Sequence, residues 1–467
     1  MARTYHLIEK YRVEVETTAP LHIGSGTRED GEVLLHPVTE IPFIQSSSIA
    51  GVFRSISEIL NGKKETEDLF GAPNQTGDTI DNGSRVIISD GEMDISTVKM
   101  EYRPRVAIDS YSGAVSSSKV AGSGNEVGHH YGIELIGTGA KIIFFLYLFH
   151  QKEDQLKNNL ERILASLKTG YAQIGGQKTN GSGFLKLTSL KHHKFDMKQE
   201  NDRIAWAEES SMDDDHVKSG PRLDYTEISD DLSISSSAGT VYAFKITGKT
   251  EGALLVKGLA VDGVGKEAPD AENMKNAAGE YIVPGSSLKG ALKSRMTYIA
   301  EYIDKQEIIK SVFGRKGSAG DPGTSGNLIF KDIVITEHVG TVVQHRIHID
   351  KFTGGVKHGE LFSEKAVSGD ITAEITVEDC SCPHAAAGLL ILALRDLAVG
   401  MINLGSGYNI GRGFITVDKV TISAIDGRQD AVITFPEPEK HQSGRINDPN
   451  GLIGKCLSEL DKWRKDS

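Results

Sequence analysis

Gly170 to Phe184 reads GYAQIGGQKTNGSGF, and Gly400 to Phe414 reads GMINLGSGYNIGRGF. With a constant shift of 230 and no gap, Gly170, Gly175, Gly181, Gly183 and Phe184 match Gly400, Gly405, Gly411, Gly413 and Phe414. An amphipathic helical pattern precedes each window, over 156–167 and 385–398, and a strand pattern follows each, over 185–187 and 415–417. A second pair lies upstream: IPFIQSSSIAGVFRS from Ile41 and EYIVPGSSLKGALKS from Glu280, in which Ser47, Ser48, Gly51 and Ser55 match Ser286, Ser287, Gly290 and Ser294. Between them, Leu69-Phe-Gly71 faces Val312-Phe-Gly314, and Arg105-Val-Ala-Ile-Asp109 faces Arg346-Ile-His-Ile-Asp350. Four landmarks in one order mark an internal duplication, and such self-similarity governs any fold assignment.

Each copy carries the same order of elements. A strand opens it, alternating over 11–17 and 240–247. A loop and a short strand lead to the Ser pair, whose hydroxyls suit a helix start. That helix covers 49–60 in the first copy and 288–302 in the second. Further strands, a hairpin-like excursion, a second helix and a last strand follow. The expected fold class is α+β, two tandem ferredoxin-like βαββαβ domains with hairpin insertions. The expected boundaries are a first domain over 1–200, an acidic linker over 201–236, a second domain over 237–436, and a tail over 437–467 with a short helix.

Bulk properties narrow the function. The 467 residues exceed one core and suit two domains. No run of about 18 apolar residues indicates a membrane span. The N-terminus lacks a signal-peptide apolar stretch, and Cys380, Cys382 and Cys456 are too few for a disulfide framework, so a cytoplasmic protein is expected. The net charge of −12 neither supports nor excludes a nucleic-acid partner, because nine acids against two bases crowd into 208–231. Aromatic residues are 6%, so stacking on many rings is not the expected mode of binding.

The Gly285-Ser-Ser-Leu-Lys-Gly290 helix start, its counterpart Ser46-Ser-Ser-Ile-Ala-Gly51, the Phe-Gly elements, the Ile-Asp-x-x-x-Gly elements at 108–113 and 349–354, and the Gly-rich loops together resemble the RAMP superfamily of CRISPR-associated proteins. The likeness covers roughly 10–190 and 240–420. It is narrower to the backbone subunits of type III effectors, and two such domains in one chain look like the fused, type III-D-like subunits. The resemblance implies partners: guide crRNA, target RNA and other subunits of the complex. It also implies hairpin thumbs, here about 109–131 and 350–370, that flip out target nucleotides.

In that chemistry the 2′-hydroxyl attacks the adjacent phosphorus in line, and the 5′-oxygen leaves. A carboxylate accepts the proton or holds a divalent metal ion, with Mg the expected cofactor. Asp30 lies 21 residues before Gly51, the spacing at which the family's active aspartate precedes that glycine. Arg28 is placed to steady the phosphate. Asp270 lies 20 residues before Gly290, one short of the pattern, and Pro269 holds the homologous place. Ser47, Ser48, Ser286 and Ser287 begin helices whose free N–H groups attract phosphate, with Arg54, Lys289 and Lys293 one and two turns in. Lys178 and Arg412 add charge to the Gly-rich loops, where a backbone without Cβ admits a close ligand. The plainer readings are capping serines, tight turns and a solvated Glu-Asp-Gly turn. Cys380-Ser-Cys382-Pro-His384 offers only three ligands where structural zinc usually takes four. Three functions follow: a ribonuclease subunit, a non-catalytic crRNA-binding scaffold, and an acidic ferredoxin-like assembly protein that binds no RNA.

Overall fold

The computed structural model describes residues 5–24, 31–72, 83–106, 108, 117–119, 126–128, 130–151, 155–170, 172–208, 225–230, 232, 240–258, 269–315, 317, 321, 323–424, 429–436 and 443–463. The chain forms two compact units. The first takes residues 1–100, 134–178 and 182–239; the second takes 101–133, 179–181 and 240–467. The division therefore does not follow the chain: the second unit takes strand residues of the first repeat's hairpin and a piece of that repeat's Gly-rich loop.

In the first unit the opening strand Leu7–Thr17 lies between Phe184–Asp196 and Lys141–His150, antiparallel to both. Val86–Ile88 and Gly91–Met93 pair with Lys141–His150 on its far side. The four principal positions thus run last, first, third, second, the ferredoxin-like order. Tyr11, Val13 and Val15 alternate onto one face and meet Ile49, Phe53 and Ile56 of helix Ser46–Leu60 and Leu160 and Ile163 of helix Leu156–Ser166 in one core. The opposite face is covered too. Ile8, Phe145, Tyr147 and Phe195 form a second apolar cluster beneath Met197, Ala205 and Trp206.

That cover corrects the linker expectation. Helix Glu200–Glu208 and strand Thr226–Glu227 lie within the acidic stretch, the strand pairs with Phe184–Asp196, and Leu232 is buried. Trp206 and Ala205 give the helix an apolar side that the surrounding acids obscure in the sequence.

The second unit repeats the plan. Thr240–Glu251 lies between Asp370–Glu378 and Phe414–Ala424, while Leu328–Phe330 and Ile333–Ile335 pair with Asp370–Glu378. Helices Gly285–Tyr302 and Pro383–Ala398 cover one face. Both opening strands carry the same register shift against the last strand, between Glu14 and Val15 and between Thr247 and Gly248. The duplication therefore extends to a shared β-bulge. The tail helix Leu452–Lys462 packs on Pro383–Ala398, where Gly388 leaves room for it: a Cβ there would lie 2.5 Å from the Cys456 carbonyl oxygen. No described helix is long and apolar enough to cross a membrane.

The second hairpin starts earlier than the sequence indicates. Its strands are Gly340–Ile349 and Val356–Ser368, so Asp350 marks the turn rather than the base. Asp350 accepts N–H bonds from Phe352 at 3.0 Å and Thr353 at 2.9 Å, which shapes a tip carrying Phe352 at 86% exposure.

Candidate nucleic-acid interface

The Ser-Ser helices are capped differently from the sequence expectation. Ser46 and Gly285 are the first helical residues, so Ser47, Ser48, Ser286 and Ser287 sit inside the first turn and cap nothing with their side chains. The cap in each repeat is an aspartate from the loop between the two short strands. Asp90 Oδ1 accepts Ser46 N–H at 2.7 Å, and Asp332 Oδ1 accepts Gly285 N–H at 2.7 Å. A carboxylate at a helix N-terminus satisfies an orphan donor and complements the dipole. Ser48 N–H and Ser287 N–H donate to the Gln45 and Pro284 carbonyls at 2.9 and 2.8 Å.

The basic residues of these helices divide by role. Arg54 Nη1 donates to the Gly71 carbonyl at 2.9 Å, and Lys293 lies 5.5 Å from the centre of the Phe313 ring. Both tie their helix to the Phe-Gly landmark of the same repeat, which gives that landmark a structural reason. Lys289 behaves otherwise. It is half-buried and donates to Thr179 Oγ1 at 2.6 Å. Burial, then the nearby charges of Lys293 and Arg105, push its pKa down to about 8. Arg105, itself lowered by burial, shares the neighbourhood with Tyr131. Like charges gathered at a helix start favour an anion between them. Lys178 lies on the turn Lys178–Asn180, where its carbonyl accepts from Gln173 Nε2 at 3.1 Å.

Asp270 is exposed at the rim of an open groove of about 390 Å³ lined by Lys257, Asp270, Ala271, Arg346, Phe362 and Glu364. Its position follows from local pairing. Strand Ala271–Glu272 runs parallel to Val356–Ser368, and Asp270 Oδ2 accepts Ser363 N–H at 2.6 Å. Behind it lies buried Glu364, which pairs with Lys257 at 2.9 Å, Arg412 at 2.6 Å and Arg346. Burial opposes the Glu364 charge, but these cations hold its pKa down to about 2. The next acid, Glu272, is also held to about 2 against burial by Lys275, Lys365 and the Tyr281 hydroxyl. Both carboxylates are stabilised by folding above their ordinary range near 4.5, and that contribution is lost as pH falls towards 2. The second unit is therefore expected to weaken between pH 4.5 and 2, with Glu364→Gln flattening the profile in a pH series of urea denaturation.

Arg412 is corrected by this arrangement. It is 2% exposed, with its guanidinium held by Glu364 and by Gln344 Oε1 at 2.9 Å, so it braces the groove from within. The Gly-rich loops also approach their own chain rather than a ligand. A Cβ on Gly183 would lie 2.0 Å from the Ile174 carbonyl oxygen, and one on Gly413 would lie 2.1 Å from that of Leu404. Asp30 and Arg28 lie outside the described residues. The sequence singles out Asp270 but misses Lys257 and Glu364, and assigns no site role to Arg346, which appears only as a landmark.

The sequence profile of the RAMP superfamily matches residues 14–186 and 246–416, most of both repeats. A search of curated proteins finds no match. With the fold order, the paired helix starts and the repeated Gly-rich loops all present twice, the chain belongs to the RAMP superfamily of CRISPR-associated RNA-binding proteins, with two copies of the domain in one polypeptide.

Proposed function

We propose that this chain is a double backbone subunit of a type III CRISPR effector, which binds guide and target RNA and cuts the target through Asp270 and Asp30. The observation that carries the reading is the Asp270 groove, an exposed carboxylate facing Lys257 and Arg346. A target phosphate between those cations would bring an adjacent 2′-hydroxyl to Asp270. The carboxylate takes its proton as the oxygen attacks phosphorus, while Lys257 and Arg346 stabilise the charge that gathers on the phosphoryl oxygens. The P–O5′ bond breaks, and the leaving oxygen takes a proton from water. The products are a 2′,3′-cyclic phosphate and a 5′-hydroxyl. Lys289 and the N-terminus of its helix would hold a guide phosphate.

The described donors around Asp270 do not suit a divalent cation. The other acid lining the groove, Glu364, is already bound to three cations, two of which, Lys257 and Arg346, line the groove as well.

In the assembled complex, Asp270→Ala and Asp30→Ala should each remove one product from the cleavage ladder and leave target affinity within about twofold. An unchanged ladder in the double variant would establish the scaffold reading. One contact favours that reading for the second repeat: the Ser363 N–H already occupies Asp270 Oδ2. Lys289→Ala should weaken guide binding about tenfold and reduce the salt slope of log K by just under one, read by filter binding across a salt series.

A further inference from the structure

The second unit carries a thiol pair that neither the groove nor the Ser-Ser helices use. Cys380 and Cys382 follow strand Asp370–Glu378 and lead into helix Pro383–Ala398, with Cys382 as its N-cap. The Cys382 carbonyl accepts the Ala386 N–H at 2.9 Å, which closes the first helical turn. The Cys382 sulfur therefore stands at the positive end of a 16-residue helix, a place that favours a thiolate.

Spacing decides what two thiols can do together. A fully extended chain holds Cα atoms two residues apart at about 7 Å. A disulfide spans roughly 4.4–6.8 Å between its Cα atoms, so the chain must bend to close one. It bends at the exposed Ser381, and the Cys380 and Cys382 thiols hydrogen-bond to each other. Trp463, just past the tail helix Leu452–Lys462, adds its own hydrogen bond to Cys382, and Lys305 Nζ donates to the Trp463 carbonyl at 2.9 Å. The bonds from Cys380, then Ser381 and Trp463, hold the Cys382 thiol below its ordinary value against burial. The bond to Cys382, then burial and the Asp379 charge, push the Cys380 thiol up. The pair thus divides into a nucleophile, Cys382, and a half-buried resolving thiol, Cys380.

The third cysteine stands apart. Cys456 is fully buried, and that burial pushes its thiol up to about 11. His384 shares its Nδ1 with the Tyr242 hydroxyl at 2.5 Å. Among the described residues, no third His, Cys or carboxylate joins both thiols within reach of one metal ion. The pair is left to redox chemistry.

We infer that Cys380 and Cys382 are a site of reversible oxidation, which closes an intrachain disulfide when the protein meets a hydroperoxide. Cys382 is 7% exposed, which restricts the oxidant to a small molecule. Its thiolate attacks one peroxide oxygen: an S–O bond forms, the O–O bond breaks, and the departing hydroxide takes a proton to become water. The Cys380 sulfur then attacks the sulfenic sulfur. The S–S bond forms, the S–O bond breaks, and the Cys380 proton leaves with the hydroxide as a second water. The two thiols give up two electrons and two protons in all, and the peroxide accepts both. The site is independent of RNA cleavage.

The test treats the reduced full-length chain with dilute hydrogen peroxide and weighs its tryptic peptides. Residues 366–395 form one peptide that carries Cys380 and Cys382, while Cys456 falls in another. The expected product is the 366–395 peptide lighter by two hydrogen atoms and restored by dithiothreitol. The pair should react at least about tenfold faster than Cys456. Cys382→Ser should slow loss of the Cys380 thiol by about tenfold, whereas Cys380→Ser should stop at a Cys382 sulfenic acid that dimedone captures. Circular-dichroism melts verify that both variants fold. An unchanged 366–395 peptide, a disulfide to Cys456, or Cys380 lost at the wild-type rate in Cys382→Ser would each overturn the inference.

Discussion

Gly413→Ala is expected to destabilise the second unit by about 3–5 kcal/mol, which compares with a total of about 5–15 for a typical domain. The residue sits at φ 82°, where a side chain costs roughly 1–2 kcal/mol by itself. The larger part comes from the 2.1 Å approach to the Leu404 carbonyl oxygen, because an added Cβ forces backbone to move. That movement breaks the bond from Leu404 N–H to the Gly413 carbonyl, which closes the loop at 2.8 Å. Gly183→Ala should act alike in the first unit, where Ile174 N–H donates to the Gly183 carbonyl at 2.9 Å. Gly411→Ala is the control. It has φ 76° but no atom within 4 Å of the added Cβ, so only the backbone term of about 1–2 kcal/mol remains. Urea denaturation of the three variants separates strain from collision, and equal losses at 411 and 413 would sink the account.

Asp332→Ala should cost about as much by a different route. It leaves Arg103, the buried partner of Asp332, with Glu101 as its remaining carboxylate partner among the described residues, and breaking a buried pair from one side costs roughly 3–5 kcal/mol. Loss of the helix cap adds about 1 kcal/mol. Asp332→Asn keeps an acceptor for the Gly285 N–H but not the charge, so it should recover only the cap. The double variant Asp332→Ala, Arg103→Met removes the stranded guanidinium and is expected to be more stable than Asp332→Ala alone. A double-mutant cycle by urea denaturation measures this, and simple additivity would show that Arg103 and Asp332 are not coupled.

The duplication is legible in part because Gly175 and Gly183, like their counterparts Gly405 and Gly413, are forced by close backbone contact in both copies. The two aspartate caps were not, since each sits 44 or 47 residues from the helix it closes and only the aspartate repeats between the loops. The Ser pairs misled for a related reason: hydroxyl residues favour helix starts, but the N–H one residue earlier, at Ser46 and Gly285, is already served by a carboxylate. Arg412 looked like an exposed charge in a polar loop. Its partner Glu364 lies 48 residues back on a hairpin whose register the sequence does not reveal. Asp270 was found through its spacing to Gly290, but the groove beside it depends on pairing between a two-residue strand and the hairpin, and no local pattern encodes that. Trp206 and Leu232 were the overlooked signals in the acidic stretch, because apolar residues there gain nothing from remaining in water.

The second unit's claim on residues 101–133 has a consequence for synthesis on the ribosome. Arg103 is made 229 residues before Asp332. At typical elongation rates of about 5–20 residues per second, its strand waits roughly 10–45 s for the partner that buries it. During that interval Arg103 has Glu101 but not yet Asp332 of its two carboxylate partners. A gene split between the two repeats would make that contact intermolecular, so the fusion of two domains in one reading frame gives the hairpin's seat a high effective concentration.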